Sequence, residues 1–269
     1  MGKLSLYNKS TQENFNAQVA QEIQNGTACF LRQIKGWELL NLAPYNYKSG
    51  KIYEGQNFVN LLNSAISYKS GAFLTYKQIQ ELGGFVKDGQ QAQQIIFWSF
   101  SEKHDKETGQ KVLGKDETPI KYAFLKRFNV FNLAQTTLED LPTNSPAPKD
   151  TEQLQQAVLN FVNNNQGLIN ANSYNEFFAK WAMQKVNERE DNMATSWCVA
   201  KSCLIAELVN LFICSKIGAD FNPVFASEYQ EMWAGLFANG YLDFLKCAKI
   251  AKETGDELLT WQNLNKLSA

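Results

Sequence analysis

The sequence predicts an α+β protein: helices on a small antiparallel sheet in the N-terminal part, then a mostly α-helical part. Apolar residues recur at helical spacing over residues 10–25 and 57–66, and again almost without a break from 151 onward. Between these regions the period changes, with two runs of bulky β-formers, "QQIIFWSF" (93–100) and "KYAFLKRFNVFNL" (121–133). Finally, "LEDLPTNSPAPKD" (138–150) holds three of the six prolines and reads as a linker. The expected division is residues 1–140, a linker at 141–150, and residues 151–269.

Each element has a local reason. In the helix over 10–25, Ser10 and Glu13 have capping-box spacing, Phe15, Val19 and Ile23 share a stripe, and Gly26 stops it. A second helix is expected from Asn57 as N-cap, with Phe58, Leu61, Leu62, Ala65 and Ile66 on one face. A third, short one follows in "LTYKQIQELGG", where Thr75 and Gln78 form a capping box and Gly83 or Gly84 supplies the left-handed end. The two β runs flank "SEKHDKETGQKVLGKDETP", a charged stretch expected to be a long mobile hairpin loop. Helices are then expected at 151–164, 173–189, 195–217, 225–238, 241–254 and 256–266.

Much chemistry is excluded. His104 is the only histidine, so no Ser-His-Asp triad, Cys-His pair or multi-histidine metal site can form. No phosphate-binding glycine loop is present, and no carboxylate cluster stands apart from ordinary helix-surface charge. The five cysteines lack C-x-x-C spacing and fit buried free thiols in a reducing compartment. The start, "MGKLSLYNKS", lacks the apolar core of a signal peptide, and the apolar run "CLIAELVNLFIC" is short and carries Glu207 and Asn210. A cytoplasmic location without membrane contact is expected.

Charge is uneven along the chain. Residues 1–145 carry 16 Lys and Arg against 13 Asp and Glu, while residues 146–269 carry 10 against 14. The basic half contains "PYNYKSGKIYEGQN" (44–57), too glycine-broken for a core helix or a central strand. Two readings of its tyrosines stand: Tyr45, Tyr47 and Tyr53 are stacking platforms for bases, or they cover the sheet. Lys48, Lys51, Lys126 and Arg127 flank aromatics and are the candidate phosphate contacts.

A family resemblance rests on particular residues. Pro44, Asn46, Ser49, Gly50, Tyr53, Gly55 and Asn57 make one block, and Thr75 with Gln78 a second. Gly83 or Gly84 with Val86 and Gly89 makes a third, and Phe131, Asn132 and Gln135 the last. Over about residues 10–137 this pattern resembles the N-terminal domain of ArdC-type antirestriction proteins, carried by plasmids and phages. "VKDGQQ" departs from it, placing Asp88, Gln90 and Gln91 where that family is basic. The resemblance implies binding of single-stranded DNA with little sequence preference. The expected strand-binding set is Tyr45, Asn46, Tyr47, Lys48, Lys51, Tyr53, Asn57, Lys126 and Arg127.

In the same family a zinc-metallopeptidase-like domain follows. Glu176, Phe177, Phe178 and Ala179 match its metal-binding helix, and Ala206, Glu207 and Leu208 a later one. The positions of H-E-x-x-H then fall on Met183, Gln184 and Asn187. Two imidazoles one turn apart are what hold zinc there, and Gln184 cannot take a proton from water. The resemblance therefore implies a degenerate zincin-like part with no catalytic residue, metal or cofactor. The expected protein is non-catalytic, binds single-stranded DNA, acts in antirestriction, and has a host restriction or defence protein as a second partner. Its alternative is an interaction module that inhibits a host defence complex directly, with the acidic half as the docking surface.

Overall fold

The computed structural model describes residues 3–142 except 106, 115 and 117, together with 151–189 and 196–266. The expected linker lies outside the described residues from 143 to 150. The N-terminal part contains α1 (Lys3–Gln24), α2 (Gly36–Asn41), β1 (Tyr45–Asn46), α3 (Gly55–Tyr68), β2 (Ala72–Thr75), α4 (Tyr76–Glu81), β3 (Gln93–Glu102) and β4 (Lys121–Asn132). Strand order is β1-β2-β4-β3. β2, β4 and β3 run antiparallel, and β1 adds a parallel edge, so the sheet is mixed.

Local chemistry explains most of these elements. Phe15, Val19, Ala20 and Ile23 give α1 one buried stripe. The capping box of α4 forms, with the Thr75 hydroxyl accepting from the Gln78 N–H and the Gln78 side chain accepting from the Thr75 N–H. Helix α3 starts earlier than expected, with Glu54 as N-cap, because Asn57 spends its side chain on β3 instead. α2, β1 and β2 are too short to show periodicity in the sequence.

The charged stretch between β3 and β4 is hydrogen-bonded rather than a bare loop. Isolated bridges pair His104 with Lys111 and Leu113 with Pro119. The Lys103 N–H donates to the Ile120 carbonyl (2.7 Å) and the Val112 N–H to the Lys103 carbonyl (2.8 Å). Asp105 makes the turn by accepting the N–H groups of Glu107 and Thr108.

The helical part comprises α5 (Thr151–Ile169), α6 (Tyr174–Arg189), α7 (Ser196–Ile217), α8 (Ala226–Ala238) and α9 (Phe244–Lys266). The two helices expected after 241 are one. Gly255 lies in its interior where α9 crosses α7, and a methyl group there would touch Ile213 and Val209. The packing of α9 along α7 outweighs the roughly 1 kcal/mol that a helical glycine costs. Among the described residues, α7 is the one helix long and apolar enough to cross a membrane. Here it is the central core helix, buried continuously from Ser202 to Cys214 among α6, α8 and α9.

The largest apolar cluster draws on both sides of the linker, from Phe15, Ile23, Phe58 and Ile96 to Phe178, Leu208, Trp233 and Phe244. Polar groups lock this joint. Asn16 donates to the Leu242 carbonyl and accepts from the Phe244 N–H, each at 3.0 Å. Ile34 pairs with Phe221 as an antiparallel bridge, and the Asp220 carboxylate accepts from the Gly36 N–H (2.8 Å) and Lys35 (2.9 Å). Gly36 itself abuts Gly218, whose carbonyl oxygen would lie 2.0 Å from any Cβ added there.

Candidate nucleic-acid interface

The segment 44–57 folds as a tight hairpin. The Asn46 N–H donates to the Lys51 carbonyl (2.8 Å), Tyr45 bridges Ile52, and Gly50 and Gly55 take left-handed φ values of 68° and 56°. Asn46 fastens it to α4: its Nδ2 donates to Gln78 Oε1 (3.0 Å), and its Oδ1 accepts from Gln78 Nε2 (3.3 Å) and the Ser49 N–H (3.0 Å).

This hairpin does not display its tyrosines as a stacking surface. Tyr45 and Tyr53 are 3% and 6% exposed, and Tyr53 stands edge-on against Phe73. Burial raises the pKa of both phenols, assisted at Tyr45 by neighbouring Tyr47 and opposed at Tyr53 by the Asn46 hydrogen bond. Tyr47 is half-buried, with its hydroxyl donating to the Pro142 carbonyl (3.4 Å). Asn57 is buried and its amide is spent on both backbone groups of Ile96. Lys48 pairs with Glu81, and that hydrogen bond leads the fall in the Glu81 pKa. Of the hairpin's candidate residues, Lys51 is exposed at its rim.

Beside the hairpin lies an open groove of about 680 Å³. Asn46, Lys51, Tyr53 and Glu54 form one wall; Ile95, Phe97, Ser99 and Phe128 form the other. The second wall is the face of the β3–β4 ribbon. Register pairs Phe97 with Lys126, Ile95 with Phe128, Ser99 with Phe124 and Ser101 with Tyr122. Opposed residues of an antiparallel pair share a face and alternate residues return to it. Tyr122, Phe124, Lys126 and Phe128 therefore form a row on one side.

Contacts within the row agree with this placement. The Lys126 ammonium lies 5.0 Å from the Phe128 ring centroid, Phe97 meets Phe128 edge-to-face at 5.9 Å, and Tyr122 lies 6.1 Å from Phe124. Phe97 is 44% exposed and Tyr122 38%. Arg127 falls on the opposite face, the one that carries Ile96 and Leu125 into the main core. The strand thus separates Lys126 from Arg127. Phe97, Tyr122, Phe124 and Phe128 are the residues that reading the hairpin alone overlooks. For the three on β4 the signal is the period of two in "KYAFLKRFNV" (121–130).

In the helical part, the side chains at the aligned metal positions do not fit a metal centre. Met183 packs against the main core, Gln184 is exposed, and Asn187 Oδ1 accepts from the Ser202 hydroxyl (2.9 Å). A soft thioether and two neutral amides supply neither the imidazoles nor the carboxylate that a zinc centre of this kind needs. Glu207 is fully buried and its Oε1 accepts from the N–H groups of Val224 (2.8 Å) and Phe225 (3.4 Å), at the N-terminus of α8. Burial pushes its pKa to about 8 against the pull of those amides. Among the described residues no three His, Cys, Asp or Glu side chains come together as a candidate metal set.

Comparison with known proteins follows the same outline. Residues 9–131 match the family described as the N-terminal domain of anti-restriction factor ArdC. Two Escherichia coli proteins named DNA primase TraC match at 29% identity over 141 residues and 32% over 125. These stretches are 51% and 44% of this chain but only 10% and 12% of the primases. The uncharacterized protein y4eC of Sinorhizobium fredii (strain NBRC 101917 / NGR234) is 28% identical over 116 residues, 42% of this chain and 37% of its own length. The metal-free crystal structure of the antirestriction protein ArdC from plasmid R388 superposes with a TM-score of 0.64 at 20% identity, covering 94% of this chain and 98% of that one. Its Mn(II)-bound structure gives 0.59 at 19%, covering 93% and 97%. At such identity the likeness is one of fold. Residues 9–131 thus match that N-terminal-domain family, and nearly the whole length of the chain shares the fold of the R388 protein.

Proposed function

We propose that this chain is a non-catalytic, sequence-nonspecific single-stranded-DNA-binding protein of mobile-element origin that serves antirestriction, with residues 1–140 as the strand-binding part. One observation carries the reading: the row Tyr122, Phe124, Lys126 and Phe128, exposed at Tyr122 and Lys126 and half-buried at the two phenylalanines, with exposed Phe97 beside it and Lys51 across the groove. Every base offers a π face, so stacking on such a row tolerates any sequence, and two lysines meet the backbone charge. A duplex hides those faces. The helical part serves as scaffold, because Met183, Gln184 and Asn187 supply neither metal ligands nor a base for hydrolysis.

Fluorescence-anisotropy titration of labelled single- and double-stranded oligonucleotides at two salt concentrations tests this. Single strands should bind more tightly than duplex. Lys51 and Lys126 together should contribute about −1.4 to the slope of log K against log salt, at about −0.7 per phosphate on a single strand. Equal affinity for duplex, or binding indifferent to salt, would refute the reading. Negligible affinity for either would favour a module that docks directly on a host defence protein.

A further inference from the structure

Glu54 occupies an unusual position. It occupies the N-cap position of α3 without a side-chain capping bond, lines the groove beside the aromatic row, and also lines a second, smaller cavity between that part and helices α7 and α9. At this boundary its carboxylate meets two lysines of the helical part. Oε1 lies 3.6 Å from Lys216 Nζ, at the end of α7, and Oε2 lies 3.5 Å from Lys252 Nζ, in α9, whose nearer partner is Asp256 Oδ2 at 2.6 Å. Both Glu54 distances exceed that of a good charge-assisted hydrogen bond, and the side chains of Glu54, Lys216 and Lys252 are between 34% and 51% exposed. Solvated pairs of this kind are weak and exchange readily for another anion.

The smaller cavity does not explain the lysines. It measures about 70 Å³ and is lined by apolar side chains such as Leu40, Phe58, Phe212 and Leu259. A cavity of roughly 150 Å³ is what it takes to admit a benzene ring, so no base enters here. What the boundary offers a ligand is its charge.

We infer that Lys216 and Lys252 continue the phosphate track of the groove onto the helical part, with Asp256 orienting Lys252 and Glu54 standing between the two ammonium groups until a strand's phosphate replaces it. The inference rests on the strand-binding reading and extends it: the ligand is the backbone of a single strand, and both halves of the chain contact it. The joint that welds α1 to α8 and α9 then has a functional consequence, because it keeps the lysines of α7 and α9 in register with the groove. Two lysines, Lys51 and Lys126, come from the front part and two from the helical part.

The test compares the full chain with Lys216→Gln/Lys252→Gln and with Glu54→Gln, titrating a labelled oligothymidylate at two salt concentrations. The parent should show a slope near −2.8 and the double variant one near −1.4, from about −0.7 per lost contact. Glu54→Gln should bind several-fold more tightly, since the carboxylate shared by both lysines is gone and only Asp256, on Lys252, remains. That opposite sign keeps the test decisive even if the double variant folds poorly. If the parent binds strands and both variants bind like it, the helical part lies outside the track and the inference fails alone. If the parent binds no strand, the strand-binding reading itself fails.

Discussion

The side-chain amide of Asn57 pairs with both backbone groups of Ile96: its Oδ1 accepts from the Ile96 N–H and its Nδ2 donates to the Ile96 carbonyl, each at 2.9 Å. β3 has β4 on one side only, and Asn57 in α3 takes the place of a further strand at this point. Asn60 repeats the device one turn later by donating to the Gln94 carbonyl (2.6 Å). The groove wall therefore stands on a helix rather than on sheet hydrogen bonds alone.

Removing that amide has a definite cost. In Asn57→Ala the Ile96 N–H loses its partner, whereas its carbonyl keeps the Gln56 side chain at 3.3 Å. One orphaned buried donor should destabilise the fold by about 1–3 kcal/mol. Urea unfolding should show this as a lower midpoint, and Asn57→Asp, which aims a carboxylate at the Ile96 carbonyl, should be no better.

The aromatic row and the hairpin tyrosines should separate cleanly on mutation. Phe97→Ala and Tyr122→Ala remove exposed rings and should each weaken strand binding by about 1–3 kcal/mol with stability nearly unchanged. Tyr53→Ala empties a buried site beside Phe73 and should cost about 3–5 kcal/mol of stability instead. Paired anisotropy and thermal-melting measurements would show the split. Equal loss of binding and stability at Phe97 would contradict it.

Glu207 should make stability depend on pH. Its folded pKa, raised by burial to about 8, lies above the model-peptide value of 4.5. Between those values the folded chain holds a proton that the unfolded chain has released, so stability should fall as pH rises through this window. Glu207→Gln keeps an oxygen for the Val224 N–H and cannot ionise. Melting curves from pH 5 to pH 9 should show the parent losing on the order of a few kcal/mol relative to this variant. Parallel curves would mean that the carboxylate stays ionised throughout.

Gly36→Ala should be the most damaging small change in the front part. Its Cβ would stand 2.0 Å from the Gly218 carbonyl oxygen, so α2 must part from the end of α7. A loss of about 3 kcal/mol or more is expected in denaturant unfolding. A silent substitution would show that this joint is loose.

How legible the protein was depended on how local each feature is. The α4 capping box, the β3 and β4 runs and five of the helix positions follow from residues a few places apart, and the sequence shows them. The short α2, β1 and β2 are stabilised by distant partners, such as Phe73 against Asn132, and leave no periodic trace. The break expected at Gly255 is overruled by packing on α7. In the interface, Lys51 and Lys126 were legible as cations flanking aromatics. That Lys126 shares a face with Phe97 while Arg127 does not is a matter of register between two strands.

By itself the sequence determined the α+β class, the ArdC-type signature of its front part, and the absence of the imidazoles and glutamate that a zinc peptidase helix requires. These depend on residue identity and short-range spacing, which a chain carries whether folded or not. Tertiary structure decided which side of each residue faces solvent. It buried Tyr45, Tyr53 and Asn57, lined up Tyr122, Phe124, Lys126 and Phe128, and brought Lys216 and Lys252 to Glu54. The physical reason is that apolar burial is collective and non-directional: a tyrosine-rich hairpin goes inward when a sheet edge is there to receive it, and only the assembled core settles that.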